Sequence, residues 1–498
     1  MIKHCVLYSG GFMKKRIFCF ILFLFVFISL LFVKSFKKEE IDYSVSPVKK
    51  NNNTLSMMLE NDDGVYEYTT NDSWPQKGYS FNAELSKCEN GGELSWDDVS
   101  KKIYMSGNVS DKCYVYFDKM PLGEICKGQN MATCFKENYT FDNALYHHDK
   151  SLENSAEDNS YRYSGGDFII TQKAIDAGFT EVGDLGITSE HNEGLIKFYC
   201  DGQKSRLGAL CESEYYYLLG NDMDNKYTTN FRDVTSKAIE LGYLKKDNVK
   251  NYVCFGSDMT DCPEDNLYRI IGIFDGNVKL IKAYSASRSL LGEDGGFYGC
   301  YDWSNDFHSF YYGSNVFDNE FTNCSSYYWN NATGTNIWSE SNLNTINLNT
   351  NFLNNFSQEW RDKIETINWN IGSNSFDNLV STPQNTYKND VQTSSAKYKA
   401  KIGLLSISEY FYGVSPVLWQ SNFNGKWDFN MWIKVGTSEQ LITTISDTNN
   451  SLSLYIGFPV DWFTVNKNVT QVRPAFYLKS TINLLHGLGT IDEPYRIS

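Results

Sequence analysis

The sequence lacks the short motifs that mark common catalytic sites. It has no G-x-S-x-G turn, no H-E-x-x-H pair, no phosphate-binding loop and no dinucleotide-binding glycine pattern. Its six histidines are scattered and no C-x-x-C occurs, so a zinc-type site is not indicated. Among 60 acidic residues, close pairs such as Asp222 and Asp224 arise by chance. The sequence therefore predicts no catalytic residue, no metal and no cofactor.

Long apolar runs are equally scarce, and the one clear example is residues 17–33, broken only by Ser29. As a helix it covers roughly 25 Å, slightly less than the hydrocarbon core of a bilayer unless flanking lysines extend to the interface. A cleaved signal peptide would end in small residues, whereas this stretch runs into Lys34. We expect an uncleaved transmembrane signal anchor over residues 14–36, after a cytoplasmic arm at residues 1–13. A cleaved signal peptide and a type IV pilin leader are the alternatives.

Basic residues are in the minority beyond this anchor. Seven of the 45 lysines and arginines lie at or before Lys38, and none of the acidic residues does. The other 38 basic residues face 60 acidic ones, a formal charge of −22. Such a surface repels nucleic acid and anionic lipid headgroups. We therefore expect no nucleic-acid partner, membrane contact through residues 17–33 alone, and an extracellular C-terminal part.

Ten of the twelve cysteines follow the anchor in five close pairs. An even number of cysteines in an exported chain is typical of disulfides, and nearest-neighbour pairing is the simplest of many connectivities. The pairs expected on this basis are Cys88–Cys113, Cys126–Cys134, Cys200–Cys211, Cys254–Cys262 and Cys300–Cys324.

The expected fold class is α+β, mostly β with short helices, divided among several domains. The polar residues 37–73 predict a flexible stalk. Alternating apolar and polar positions predict a small disulfide-stapled β domain over residues 74–120. Residues 121–165 are expected to be a linker, and residues 166–250 a disulfide-containing module with two short helices. Residues 251–498 then form the large C-terminal domain.

Local patterns within that last domain are specific. Residues 266–282 predict two strands joined by a turn that contains Asp275 and Gly276. Apolar residues from Phe352 to Trp360 recur at helical spacing. Residues 401–412 predict a short strand that runs into a serine-capped segment.

Several of these segments together resemble a bacterial family of membrane-anchored surface proteins, of unknown function, from gut-dwelling Gram-positive bacteria. The resemblance is carried by residues 252–257, 262–263, 266–271, 401–404 and 472–478, and extends to residues 79–118 and 161–165. Residues 403–412 and 472–475 also resemble the formylglycine-generating-enzyme group, which implies a C-type-lectin-like fold for the C-terminal domain. That enzyme uses cysteines in its C-terminal part, and no cysteine follows Cys324 here, so the resemblance does not imply its oxidase chemistry.

Aromatic residues are abundant at 15%, and they concentrate in residues 297–338 and 419–432 among small polar neighbours. Rigid aromatic rings beside serine, glycine and asparagine are typical of adaptable recognition surfaces, and their faces stack on sugars. The candidate ligand-binding residues are the tryptophans of these two clusters: Trp303, Trp329, Trp338, Trp419, Trp427 and Trp432. Arg473, flanked by apolar residues, is expected to pair with a structural carboxylate.

We therefore expect a membrane-anchored extracellular binding or adhesion protein, non-catalytic, whose ligand is a glycan or a protein. Two alternatives remain open. A structural envelope component would self-associate without a small ligand, and a cell-wall or glycan hydrolase would carry two close carboxylates in a cleft.

Overall fold

The computed structural model describes residues 54–61, 64–69, 77–107, 111–166, 168–171, 173, 199–200, 203–204, 242, 244–246, 249–301, 310–311, 326–330, 334–372, 382–392, 396–416, 419–420, 432–433, 438–444, 450–455, 461–464 and 469–498. The chain divides into two compact units between Lys119 and Met120. The described part is mostly strand, with short helices and disulfides, as the sequence predicts.

The first unit is a four-stranded sheet with an added hairpin. Its strands are β1 (Thr54–Glu60), β2 (Tyr66–Tyr68), β3 (Tyr79–Cys88), β4 (Glu93–Asp97), β5 (Lys102–Ser106) and β6 (Lys112–Lys119). The sheet order is β2-β1-β6-β3, with β1 parallel to β6, and β4 pairs with β5. The buried side chains of Met57, Val115 and Phe117 form its small core. Cys88 and Cys113 lie opposite each other on β3 and β6 and form the expected disulfide.

Residues 37–73, expected to be a flexible stalk, contribute two of these strands. β1 pairs with β6 from Thr54 to Leu59, and Met57 lies opposite Val115. Alternate residues of β1 pack toward this core, and a half-buried strand needs no more than two or three apolar side chains to do so. The polar composition of the segment concealed that alternation.

The second unit contains the remaining elements. Its strands are β7 (Leu145–His147), β8 (Tyr161–Tyr163), β9 (Phe168–Ile170), β10 (Tyr199–Cys200), β11 (Gln203–Lys204), β12 (Leu244–Lys246), β13 (Tyr252–Cys254), β14 (Leu267–Phe274), β15 (Asn277–Lys282), β16 (Phe297–Tyr301), β17 (Phe310–Tyr311), β18 (Ser326–Tyr328), β19 (Ile367–Asn370), β20 (Lys397–Ala400), β21 (Ile402–Gly403), β22 (Ser438–Thr444), β23 (Asn450–Tyr455), β24 (Asp461–Thr464), β25 (Val469–Thr470), β26 (Ala475–Tyr477), β27 (Leu484–His486) and β28 (Arg496–Ile497). Its α-helices are α1 (Leu122–Ile125), α2 (Met131–Asn138), α3 (Arg288–Leu291), α4 (Gln358–Lys363), α5 (Pro383–Tyr387) and α6 (Ile407–Tyr412). Short 3₁₀ turns lie at Tyr139–Phe141, Glu264–Asn266 and Trp338–Glu340, and π-helical segments at Leu343–Phe352 and Lys388–Gln392.

A seven-stranded antiparallel sheet is the centre of this unit. Its order is β21-β26-β15-β14-β8-β7, and β13 also pairs with β14. β14 is buried along most of its length because it lies inside the sheet and carries apolar side chains on both faces. The turn between β14 and β15 places Asp275 and Gly276 at positive φ, which confirms the predicted hairpin.

Residues 121–165, expected to be a linker, belong instead to this unit and its core. They form α1, α2, β7 and β8, and the Cys126–Cys134 disulfide joins the two helices. Phe135 and Tyr163 are buried in the same cluster as the central strands. The segment has polar loops around few apolar residues, and those residues find distant partners, as β8 does with β14 and Phe135 with Tyr495.

The predicted strand and serine-capped segment are confirmed as β21 and α6. Ser406 and Glu409 form a capping box at the start of α6, in which each side chain bonds the other's backbone N–H. The predicted helical spacing from Phe352 to Trp360 is divided between a π-helical segment and α4. α6, the end of α5 and the π-helical segment Lys388–Gln392 contribute residues to the site described below.

The remaining predictions concern the membrane anchor, the helices of residues 166–250 and the other disulfides. The anchor at residues 17–33 and most of the two short helices expected within residues 166–250 lie outside the described residues, as do Cys211 and Cys324. In the described part of the chain, no helix is both long enough and apolar enough to cross a bilayer. The Cys254–Cys262 disulfide is present.

Candidate functional site: a cavity lined by two buried cations

The predicted tryptophans that the structure describes are core residues. Trp329, Trp338, Trp419 and Trp432 are at most 2% exposed. The indole N–H of Trp329 donates to the Leu441 carbonyl oxygen. These four rings therefore fill the interior and do not present their faces to a ligand. Trp303 and Trp427 lie outside the described residues.

Arg473 pairs with a buried carboxylate, as expected. Its Nη1 lies 3.0 Å from a carboxylate oxygen of Glu439, and its Nε donates to the Lys282 carbonyl oxygen at 2.9 Å. Burial raises the pKa of Glu439 to about 7, although the Arg473 charge opposes the shift. The pair is enclosed, and it joins the end of the central sheet to β22.

One group of potential metal ligands occurs in the first unit, at Cys88, Asp111 and Cys113. The two cysteines are joined as a disulfide, so neither offers a thiolate. Asp111 accepts hydrogen bonds from the backbone N–H groups of Asn90 and Gly92. The group is therefore structural: the disulfide joins two strands, and Asp111 fixes the neighbouring turn.

A cavity of about 340 Å³ in the second unit has a different character. Its volume is at the lower end of the range for small-molecule sites. Its described lining has no histidine or cysteine and combines two buried cations, their carboxylate partners and aromatic rings: Arg162, Lys279, Asp158, Glu409, Phe274, Trp369, Tyr387 and Tyr477. We call it the Arg162–Lys279 cavity.

The central sheet aligns the two cations. Arg162 on β8 and Lys279 on β15 are both register partners of Gly272, which lies on β14 between them. β8 approaches β14 closely here, and a Cβ on Gly272 would lie 2.2 Å from the Tyr161 carbonyl oxygen. Only glycine allows this approach. The row thus places two positive side chains on the strands that flank β14, with no side chain between them.

Arg162 is 2% exposed and its guanidinium is only partly hydrogen-bonded. Its Nε donates to Ser160 Oγ at 2.8 Å, and its Nη2 donates to Asp158 Oδ2 at 2.5 Å. Nη1 has no hydrogen-bond partner among the described residues. The rings of Phe274 and Tyr387 are each centred 4.9 Å from Cζ. They hold the guanidinium by cation–π contact, but they offer no carbonyl or carboxylate oxygen.

Asp158, in contrast, has a full set of donors. Oδ1 accepts from the Ser160 backbone N–H and hydroxyl, and Oδ2 accepts from Arg162 and, at 2.7 Å, from the Tyr387 hydroxyl. Burial alone would raise the pKa of Asp158, but the Arg162 charge and these hydrogen bonds hold it well below its usual value. Asp158 is therefore ionised, and both of its oxygens already accept hydrogen bonds.

Lys279 repeats the arrangement on the other side of Gly272. It forms an ion pair with Glu409, and its Nζ lies 4.8 Å from the centre of the Trp369 ring. Burial lowers the pKa of Lys279, against the opposing effect of the Glu409 charge. The second oxygen of Glu409 accepts from the Ser406 backbone N–H at 2.9 Å, so this carboxylate is also engaged on both sides.

A third carboxylate lies behind α6. Asp390 is fully buried and accepts from the Thr443 hydroxyl at 2.8 Å and from the Ser408 hydroxyl at 3.0 Å. Burial raises its pKa to about 6, although these hydrogen bonds lower it. It is not part of the described cavity lining.

Comparisons with protein families, with curated proteins and with solved structures find no match for this chain. The chemistry of the cavity therefore follows from its own geometry.

Two cations and three carboxylates line this cavity. The oxygens of Asp158 and Glu409 are engaged, whereas Asp275, a further carboxylate of the lining, is exposed. Lys279 has three N–H groups, and Glu409 is its one hydrogen-bond acceptor in the part of the chain that the structure describes. The lining therefore offers a ligand both donors and acceptors.

Neither Arg162 nor Lys279 was predicted from the sequence as a site residue. Arg162 stands between two tyrosines in a three-residue strand, and Lys279 stands between Val278 and Leu280 in a strand that is buried along most of its length. Arginine and lysine are rarely fully buried unless paired. A charged residue at a position that the strand pattern marks as buried is the signal that would have found them.

Proposed function

We propose that the chain is a membrane-anchored extracellular binding protein, non-catalytic, whose ligand site is the Arg162–Lys279 cavity. The observation that carries this proposal is the cavity itself, whose described lining brings two buried cations, aromatic rings and asparagine amides to one concave site. A concave site with aromatic surface and a few placed polar groups is typical of small-molecule binding.

Export is supported by the disulfides. Cys88–Cys113, Cys126–Cys134 and Cys254–Cys262 are bonded, and such bonds persist in oxidising compartments. The apolar stretch at residues 17–33 supplies the proposed anchor, and the acidic charge of the remaining chain is compatible with an extracellular position.

A C-type-lectin-like fold for the second unit is part of the proposal. The two segments that resemble such folds, residues 403–412 and 472–475, meet in the central sheet, where Gly403 of β21 pairs with Ala475 of β26. β26 in turn pairs with β15, which carries Lys279. The resembling segments therefore flank the proposed ligand site.

A matched pair of variants tests the function. Lys279 and Lys282 are both buried cations on β15, but of the two only Lys279 lines the described cavity. The purified full-length chain is screened against a glycan array and an array of extracellular proteins. We expect reproducible binding that Lys279→Met abolishes and Lys282→Met retains. Binding that both variants retain would place the ligand elsewhere, and no binding on either array would contradict the proposal.

A further inference from the structure

We infer that acid opens the loop between β7 and β8, residues 148–160, because protonation of His148 breaks the hydrogen bond that holds this β7–β8 loop closed. Asp158 and Ser160 of the loop line the Arg162–Lys279 cavity. Opening therefore removes one wall of the cavity. The inference adds regulation by pH to the proposed function, and its meaning for binding rests on that function.

A single imidazole nitrogen fixes the middle of the loop. His148 is fully buried, and its Nδ1 accepts from the Ala156 backbone N–H at 3.1 Å. Nδ1 accepts only when it carries no hydrogen, so the hydrogen of the neutral ring is on Nε2. A second proton would bind Nδ1 and face the Ala156 N–H, which is also a donor. Protonation of His148 therefore abolishes this hydrogen bond.

The surroundings of the His148 ring oppose a positive charge. The rings of Tyr412 and Trp419 are each centred 4.8 Å from it, and Cζ of Arg162 lies 5.0 Å from the centre of the same Tyr412 ring. The charged and titratable groups that face His148 come from each neighbouring element: Arg162 of β8, Asp158 of the loop, His147 of β7 and Tyr412 of α6.

The balance of these groups keeps His148 neutral in the closed loop. Burial and the Arg162 charge lower the pKa of His148 well below its usual value of 6.5, and the Asp158 charge opposes this shift only in part. An open loop exposes the ring to water and lets it bind a proton near its usual pKa. The closed form is thus fully favoured above pH 6.5. Below that value the ratio of closed to open loop falls tenfold for each pH unit, down to the pKa of the closed form.

The loop backbone also favours opening once this hydrogen bond is lost. Asn154, Glu157 and Asn159 have φ of 56°, 52° and 57°, in the left-handed region that non-glycine residues seldom adopt. Such conformations persist only where surrounding contacts impose them. Loss of the Ala156 hydrogen bond removes one of these contacts from the centre of the strained segment.

Hydrogen exchange of the full-length chain tests the inference. Protection factors, corrected for the intrinsic exchange rate at each pH, are measured by mass spectrometry for peptides that cover residues 150–160. We expect protection to be about 30-fold lower at pH 5 than at pH 7.5, the change produced by a group that titrates near 6.5 only in the open form. Protection that stays constant over this range would overturn the inference.

The neighbouring histidine provides a matched control. His147 Nδ1 lies 3.1 Å from a carboxylate oxygen of Asp149 and does not bond Ala156. His148→Asn keeps an acceptor near the position of Nδ1 but cannot bind a proton, so its protection should vary less than about threefold over the same range. His147→Asn should retain the full change. A full change retained in His148→Asn would show that His148 does not control the loop.

A second measurement needs no variant. Nitrogen NMR of the six histidine rings in the full-length chain should show one ring that is still neutral at pH 5, with its hydrogen on Nε2. Six rings that all titrate near pH 6.5 would overturn the inference even if His148→Asn does not fold. No ligand enters these experiments, so their failure would leave the proposed function to the array screen.

Discussion

Arg162 and Lys279 lie on the two strands that flank β14, and both are register partners of the same residue, Gly272. Both are buried, and each holds its own carboxylate, Asp158 or Glu409. Burying two like charges in one row of a sheet is costly unless each is paired. The pairing stabilises the row, and the cavity beside it has room for a small ligand.

The glycine between the cations is expected to be indispensable. Gly272→Ala places a Cβ 2.2 Å from the Tyr161 carbonyl oxygen, so β8 must shift away from β14. We expect a loss of about 2 to 3 kcal/mol in the free energy of unfolding, measured by denaturant titration. Gly276→Ala is the control, because its Cβ meets no atom within 4 Å and costs only the positive φ, about 1 kcal/mol. Equal losses in the two variants would contradict the close approach of the strands.

The Lys279–Glu409 pair is expected to be strongly coupled. Glu409→Gln leaves Lys279 buried without a counter-charge and should cost about 3 to 5 kcal/mol, although glutamine still completes the capping box. The double variant Lys279→Met with Glu409→Gln should regain most of that loss.

The Lys363–Glu359 pair, whose carboxylate is exposed, provides the comparison. Glu359 is 72% exposed, so Glu359→Gln should change the free energy of unfolding by less than about 1 kcal/mol. A double variant at Lys279 and Glu409 that is no more stable than Glu409→Gln would show that the two side chains are not coupled.

Asp390 is expected to make stability depend on pH. Its pKa is raised from 3.8 to about 6, so the folded chain holds a proton that the unfolded chain releases between these values. The contribution is present below pH 4 and is lost as the pH rises through 6. Relative to Asp390→Asn, the wild-type free energy of unfolding should fall by up to about 3 kcal/mol between pH 4 and pH 7. A difference between the two proteins that stays constant over this range would contradict the assignment.

The disulfides make a direct chemical prediction. Peptide mapping without reduction should recover Cys88–Cys113, Cys126–Cys134 and Cys254–Cys262. Replacing Cys126 and Cys134 with alanine should cost about 2 to 3 kcal/mol, since the bond closes a short loop in the unfolded chain. Free thiols at these positions in protein purified under oxidising conditions would be inconsistent with the fold. The same map tests the predicted Cys200–Cys211 and Cys300–Cys324 pairs.

Local features of this fold could be predicted because they depend on neighbouring residues. The β14–β15 hairpin follows from Asp275 and Gly276, and the start of α6 follows from Ser406 and Glu409. Short disulfide loops such as Cys126–Cys134 likewise depend on close spacing.

Features that depend on distant partners could not be predicted. β1 has a buried face only because β6 pairs with it across more than 50 residues, and β8 joins the central sheet only through β14. The cavity has the same origin, since Arg162, Lys279 and Glu409 come from three separated segments. Aromatic content predicted recognition surfaces, yet Trp329 and Trp419 pack in the core, where large rings bury the most area.

The most direct test of the proposed binding site is an experimental structure of the full-length chain with a ligand from the array screen. We predict a ligand in the Arg162–Lys279 cavity, in contact with Lys279 and with the rings of Phe274 and Trp369. A ligand bound at another surface, with the Arg162–Lys279 cavity unoccupied, would contradict the proposal.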